Sequence, residues 1–194
     1  MDPSRTAGLV TEALSPAVVV VALPLAVAWD ATDHSIGATI GWGLLVAVFY
    51  SALPMAFVVH GARRGRWDGH WVRDREHRTL PLVMCLLSAL VGMAVMVWLS
   101  APAAVVALAW AMITTLVACL VITRWWKVSV HATVAGGAVA MVTFLYGPWL
   151  LALVPLVALV CWSRVVVQDH TVAQVVAGAL LGPLVGGAVF LALS

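Results

Sequence analysis

The sequence predicts an all-α, polytopic membrane bundle of six or seven transmembrane helices, formed as one integral domain over residues 1–194. Three observations carry this. The chain is 64% hydrophobic and 9% charged, with a mean hydropathy of +1.09, more apolar surface than a single soluble core of this size can bury. The apolar residues fall in runs of membrane-crossing length broken by short polar connections. All ten Lys and Arg residues fall on one side of the resulting topology.

Backbone polar groups inside a bilayer must be satisfied within the segment, so each long apolar run is read as a helix of roughly 17 to 25 residues. The spans expected on this rule are Leu14 to Trp29, Ile36 to His60, Leu80 to Leu99 and Pro102 to Thr123. Two shorter pieces follow, Ala132 to Tyr146 and Pro148 to Ser163, and the Gly147-Pro148 pair between them signals a turn within a helical hairpin. The last span runs from about Thr171 to Leu193. The first is short, which leaves the count at six or seven.

With the N-terminus on side A, that side receives Arg5, the cluster Arg63, Arg64, Arg66, Arg73, Arg75 and Arg78, then Arg124, Lys127 and Arg164. Side B receives Asp30, Asp33 and His34 with short neutral turns. Cytoplasmic loops carry the basic excess in membrane proteins, so the expectation is an integral protein of the cell membrane with side A in the cytoplasm. Arginines gathered to bind phosphate would produce the same bias. The N-terminus has no basic region followed at once by an apolar stretch and a cleavage site, so the first span is expected to be retained. A net charge of +2, with the cations dispersed among spans, argues against nucleic-acid binding. Cys85, Cys119 and Cys161 lie inside apolar runs without metal or redox spacing and read as small packing residues.

Nearly all residues capable of chemistry lie on side A. In the segment from Ser163 to Gly178, Ser163-Arg164 is followed by His170 and then Gln174. A guanidinium fork matches phosphate oxygens and a neutral imidazole is a competent nucleophile toward phosphorus. His170 also precedes a helix, with Asp169 and Thr171 as candidate caps, so the positive end of that helix favours an anion there. The segment from Arg124 to His131 repeats the pattern: Lys127, Ser129 and His131 supply a cation, a hydroxyl and an imidazole just before a span.

These residues resemble the type-2 phosphatidic acid phosphatase superfamily, most specifically over residues 124–190. Its third motif is Ser-Arg, five residues, His, three residues, Asp, and Ser163, Arg164 and His170 match it in spacing. Its second, Pro-Ser-Gly-His, corresponds to Val128-Ser129-Val130-His131, which keeps the serine and histidine. Its first, Lys, six residues, Arg-Pro, finds only Arg78, with Trp71 and Thr79 at the flanking positions. The resemblance implies hydrolysis of a phosphomonoester or diphosphate on a phospholipid or polyprenyl lipid through a phosphohistidine, with neither metal nor cofactor. It implies His170 as nucleophile, His131 as acid and base, and Arg164, Ser129 and Arg78 as phosphate contacts; Ser163, Lys127 and Arg75, on the same side, are further candidates for phosphate binding. The expected partners are a lipid phosphate and the bilayer.

Gln174 stands where the family has the aspartate that orients the nucleophilic histidine. Four residues beyond His170 on a helix, its carbonyl is expected to accept the imidazole N–H and keep orientation, with weaker stabilisation of charge. Alternatives to hydrolysis are a weakened relative that binds or moves a lipid phosphate, or phosphotransfer and prenyl-diphosphate chemistry on the same scaffold. Val130 replaces the motif glycine, which is expected to restrict how closely backbone approaches a phosphate. The run Asp68, His70, Arg73, Arg75, His77, Arg78 reads either as a solvated basic connection or as a headgroup lid. Trp67, Trp71, Trp125 and Trp126 suit an interfacial belt. Gly178, Gly182 and Gly186 form a smooth stripe that reads as helix packing or as a groove for a lipid tail, with Gly136 and Gly137 placed to face it.

Overall fold

A computed structural model describes residues 2–66 and 75–194, and in 75–78 the backbone alone. Among the described residues every regular element is helical: α1 Pro3–Ala13, α2 Pro16–Ala31, α3 Ile36–Ala47, α4 Leu53–Arg63, α5 Arg75–Trp98, α6 Ala103–Thr123, α7 Val130–Tyr146, α8 Val154–Val166, α9 Val172–Leu181 and α10 Ala188–Leu193. Among the described residues six helical segments are long and apolar enough to cross a membrane: 3–31, in which α1 and α2 follow one another, 36–63, 79–98, 103–123, 148–166 and 172–193. The shorter apolar helix α7, 17 residues long, extends about 26 Å at 1.5 Å per residue, close to the roughly 30 Å hydrocarbon core. The architecture is that of an integral membrane protein.

Local chemistry explains most helix ends. Asp2 caps α1 by accepting from Ser4 N–H at 3.0 Å, with Pro3 in the first turn. The expected first span left this helix out because its segment carries Ser4, Arg5, Thr6 and Glu12 and lacks the apolar density of α2. Gly65, at φ +69°, ends α4 in the left-handed conformation that glycine adopts without cost. Gly147, at φ +107°, makes the turn of the hairpin, and a 3-10 segment over Pro148–Leu153 leads into α8.

Two helices widen by one residue beside a proline. Pro54 has no N–H to offer the preceding turn, and over Val48–Ala52 the helix loosens so that Leu53 N–H bonds the Val48 carbonyl five residues back. The Phe49 carbonyl takes the Ser88 hydroxyl of α5 at 2.6 Å, and Ser51 reaches the Ala17 carbonyl of α2 at 3.4 Å. Pro183 has the same effect over Gly182–Gly187, where Ala188 N–H bonds the Pro183 carbonyl.

Helix α6 is the centre of the bundle, with Val105, Ala107, Leu108, Ala109, Ala111 and Ile113 all buried. One apolar cluster joins it to α2, α3 and α5 through Ala28, Val46, Ala89, Met93 and Met96. A second joins it to α2, α7 and α10 through Leu23, Val27, Met141 and Phe190. Leu44, Leu90, Val117, Leu180 and Leu184 are exposed on the outside, as a lipid solvent requires. Trp125 and Trp126 are exposed at the side A end, Trp98 and Trp149 at the other, in keeping with two interfacial belts. Trp67 and Trp71 lie outside the described residues.

The glycine stripe is a packing seam. A Cβ on Gly182 would collide with the Thr133 carbonyl and the Gly137 backbone, and one on Gly136 with the Ala179 carbonyl. A Cβ on Gly178 would lie 2.6 Å from the Ser129 carbonyl, and one on Gly186 2.5 Å from Thr115 Oγ1. Helix α7 is therefore pressed backbone to backbone against α9 and its continuation, and the tail groove considered for this stripe is closed.

Candidate functional site

The site is assembled where the C-terminus of α8 and the N-termini of α7 and α9 meet on side A. Helix α8 ends in a Schellman turn: Asp169 N–H bonds the Arg164 carbonyl at 3.2 Å and Gln168 N–H bonds the Val165 carbonyl at 3.0 Å. Gln168 occupies the left-handed position, φ +59°, where glycine is usual. His170 N–H also reaches the Arg164 carbonyl at 3.2 Å. Folding the chain back in this way carries Asp169 to the guanidinium of Arg164, and the two form an ion pair in which both side chains are almost wholly buried.

The same guanidinium donates from Nη1 to Thr11 Oγ1 at 3.4 Å; Thr11 donates to Ser163 Oγ at 3.1 Å, and Ser163 to the Val160 carbonyl at 2.8 Å. This chain of donors ties α1 to the end of α8 and polarises in one direction. Ser163 and Arg164, matched to the family's third motif in the sequence, are thus occupied with structural partners in this conformation. Sequence reasoning did not assign Thr11, and it took Asp169 only as a candidate cap of the following helix, whereas the cap is Thr171 and Asp169 pairs with Arg164. Nothing in the sequence marks Thr11, 152 residues from Ser163. Asp169 had a readable signal, an acid just beyond a helix end that carries an arginine.

Thr171 is the N-cap of α9. Its hydroxyl accepts from Gln174 N–H at 3.4 Å while Gln174 Oε1 accepts from Thr171 N–H at 3.1 Å, a complete capping box. The backbone donor identifies Oε1 as the oxygen on that side, and the same atom lies 3.2 Å from His170 Nδ1. An amide oxygen only accepts, so the imidazole donates from Nδ1, and a neutral ring holds its lone pair on Nε2. The contact expected between His170 and Gln174 is present, with a different cause. His170 precedes the N-cap, and the capping box, rather than a shared helix face, brings Gln174 back to it.

Ser129 is the N-cap of α7, with its Oγ accepting from Ala132 N–H at 3.4 Å. Its own N–H bonds the Gln174 carbonyl at 3.3 Å, which locks the start of α7 to the first turn of α9. His131 lies within the first turn of α7 rather than ahead of the span, and it is 6% exposed, against 7% for His170. Both imidazoles therefore stand at the positive ends of adjacent helices, withdrawn from bulk water. Lys127 is half-buried in the connection from α6. The backbone at Arg75 and Arg78 begins α5, and their side chains lie outside the described residues, as does the run Asp68 to Arg73. Among the described residues no group of three His, Cys, Asp or Glu side chains is placed to hold a metal ion.

Val130, at the motif glycine position, turns toward an apolar cavity of about 190 Å³ between α2, α5, α6 and α7. No family model matches the chain, and neither a curated protein nor a solved structure is similar to it.

Proposed function

We propose that this protein is a membrane-embedded phosphohydrolase of the type-2 phosphatidic acid phosphatase kind, acting on the phosphate of a lipid at side A. The observation that carries the reading is the His170–Gln174 contact, which orients the imidazole through Nδ1 at a helix N-terminus, beside the α7 start that bears Ser129 and His131. In the proposed cycle His170 Nε2 bonds to phosphorus as the bond to the lipid oxygen breaks, and His131 gives its proton to that oxygen. Water, losing a proton to His131, then attacks the phosphohistidine and releases inorganic phosphate. The helix N-termini and Ser129 stabilise the growing charge. Arg164 joins them when the substrate phosphate displaces the Asp169 carboxylate, itself an anion already held by the same fork.

Phosphate release from phosphatidic acid, phosphatidylglycerol phosphate and polyprenyl mono- and diphosphates, with His170→Ala as control, tests the proposal. Release that depends on His170 is expected for at least one of them. Equal release by wild type and variant across the panel would end the phosphatase reading. A second reading, a lipid-phosphate binder with little turnover, draws on the Arg164–Asp169 pair and on an amide where the family has a carboxylate. It predicts saturable binding of the same lipids without phosphate release. The basic bias further supports side A facing the cytoplasm of the cell membrane; labelling of an Arg66→Cys variant from outside intact cells would reverse that assignment.

A further inference from the structure

We infer that the cavity between α2, α5, α6 and α7 is a binding slot for one unbranched hydrocarbon chain of a lipid whose head lies at side A. The position of that head rests on the function proposed above; the chain site itself rests on the cavity. Protein interiors contain few voids larger than a water molecule, and an apolar void of roughly 150 Å³ stays dry and takes up hydrocarbon. This one measures about 190 Å³. Its wall is made of Val19, Leu82, Leu116, Val134, Met141 and similar side chains, with no charged residue. Two of its polar residues present little polarity, because Thr115 and Thr133 donate to the Ala111 and Ser129 carbonyls of their own chain segments at 2.7 and 2.9 Å.

The slot has the position and shape of a chain site. On α7 it follows a single face, Val130, Thr133, Val134, Gly137, Ala138 and Met141, which covers about 16 Å along the helix axis, half the hydrocarbon core. Its upper end is Val130, directly between Ser129 and His131. A partly open apolar cavity of about 190 Å³ drawn out along this face has room for one extended chain rather than a pair. Tyr50, on the loosened turn Val48–Ala52, forms part of the wall, and its buried hydroxyl has no hydrogen-bond partner among the described residues. The substitution of valine for the motif glycine becomes intelligible as well, since its side chain lines the slot.

The experiment is photo-crosslinking of the full chain in nanodiscs with dodecyl phosphate carrying a mid-chain diazirine, followed by peptide mapping. Label is expected within residues 82–89, 111–119 and 130–141, competed by tetradecyl phosphate. Filling the slot with Ala138→Phe, or independently with Val20→Phe, is expected to cut that label at least fivefold, while Gly41→Phe, which faces open space, leaves it unchanged. The thermal transition of each variant shows whether it has folded. Label confined to outward residues such as Leu44, Val121 and Leu180, or indifferent to both filling variants, would overturn the inference; farnesyl phosphate competing better than tetradecyl phosphate would overturn the unbranched chain. Because His170→Ala leaves the slot intact, its labelling should match wild type. Equal labelling by the corresponding neutral alcohol would keep the chain site and remove the phosphate head from it.

Discussion

Asp169 and Arg164 are held together by the turn between them: the Arg164 carbonyl accepts the Asp169 N–H while the Arg164 guanidinium pairs with the Asp169 carboxylate. Removing one member of such a buried pair strands the other charge, which costs about 3–5 kcal/mol, whereas replacing both with apolar groups is often neutral. Asp169→Ala is therefore expected to lower the thermal transition in detergent sharply, and Arg164→Met with Asp169→Leu to recover most of the loss. A double variant as unstable as the single one would show that the pair's further contacts, such as Thr11, dominate.

Gln168 pays the usual cost of a side chain in the left-handed region, of the order of 1 kcal/mol, for a turn that glycine makes freely. Gln168→Gly should raise stability by about that amount with the Arg164–Asp169 pair intact. A fall in stability would mean that the glutamine side chain contributes a contact larger than its backbone strain.

The spans were legible because lipid leaves the backbone few options, and the long apolar runs reappear as helices with ends moved by a few residues. The Gly147-Pro148 hairpin was legible for a similar reason, since φ +107° admits little but glycine. The site was legible only in its local parts. His170 and Gln174 are joined by a capping box written in four consecutive residues. Thr11 depends on how α1 packs against α8, and no local pattern records that. The glycine stripe was visible in sequence but ambiguous, because smooth faces serve close packing and open grooves alike; only the position of the Thr133 carbonyl under Gly182 decides it.

That seam makes a sharp contrast among glycines. Gly182→Ala and Gly136→Ala place a methyl group on a neighbouring carbonyl, so each should cost at least the 1–3 kcal/mol typical of overpacking. Gly41→Ala meets nothing within 4 Å and sits inside α3, where alanine is the better helix former by about 1 kcal/mol. It should be neutral or stabilising. Thermal unfolding of the three variants checks the ranking, and a tolerated Gly182→Ala would mean that α7 and α9 can separate without loss.

Gln174 serves two neighbours with one oxygen, and its substitutions separate the roles. Gln174→Glu keeps a side chain long enough for both contacts and adds a negative charge beside an imidazole that, in the proposed cycle, becomes cationic as it attacks phosphorus. If charge stabilisation limits the rate, the gain should be about tenfold, equivalent to roughly 1.4 kcal/mol. Gln174→Leu removes the acceptor, so the ring loses its fixed tautomer as well as its orientation, and kcat should fall by about 100-fold or more. That variant also loses half of the capping box, so the rate alone would not distinguish a chemical role from a structural one. Thr171→Ala supplies the control: it removes the cap hydroxyl at a cost of about 1 kcal/mol and leaves the His170–Gln174 contact in place. The expected pattern is a lower thermal transition with a nearly unchanged rate for Thr171→Ala, and the reverse emphasis for Gln174→Leu. Equal rate losses in the two variants would assign Gln174 to helix capping alone, and His170 would then need another group to orient it.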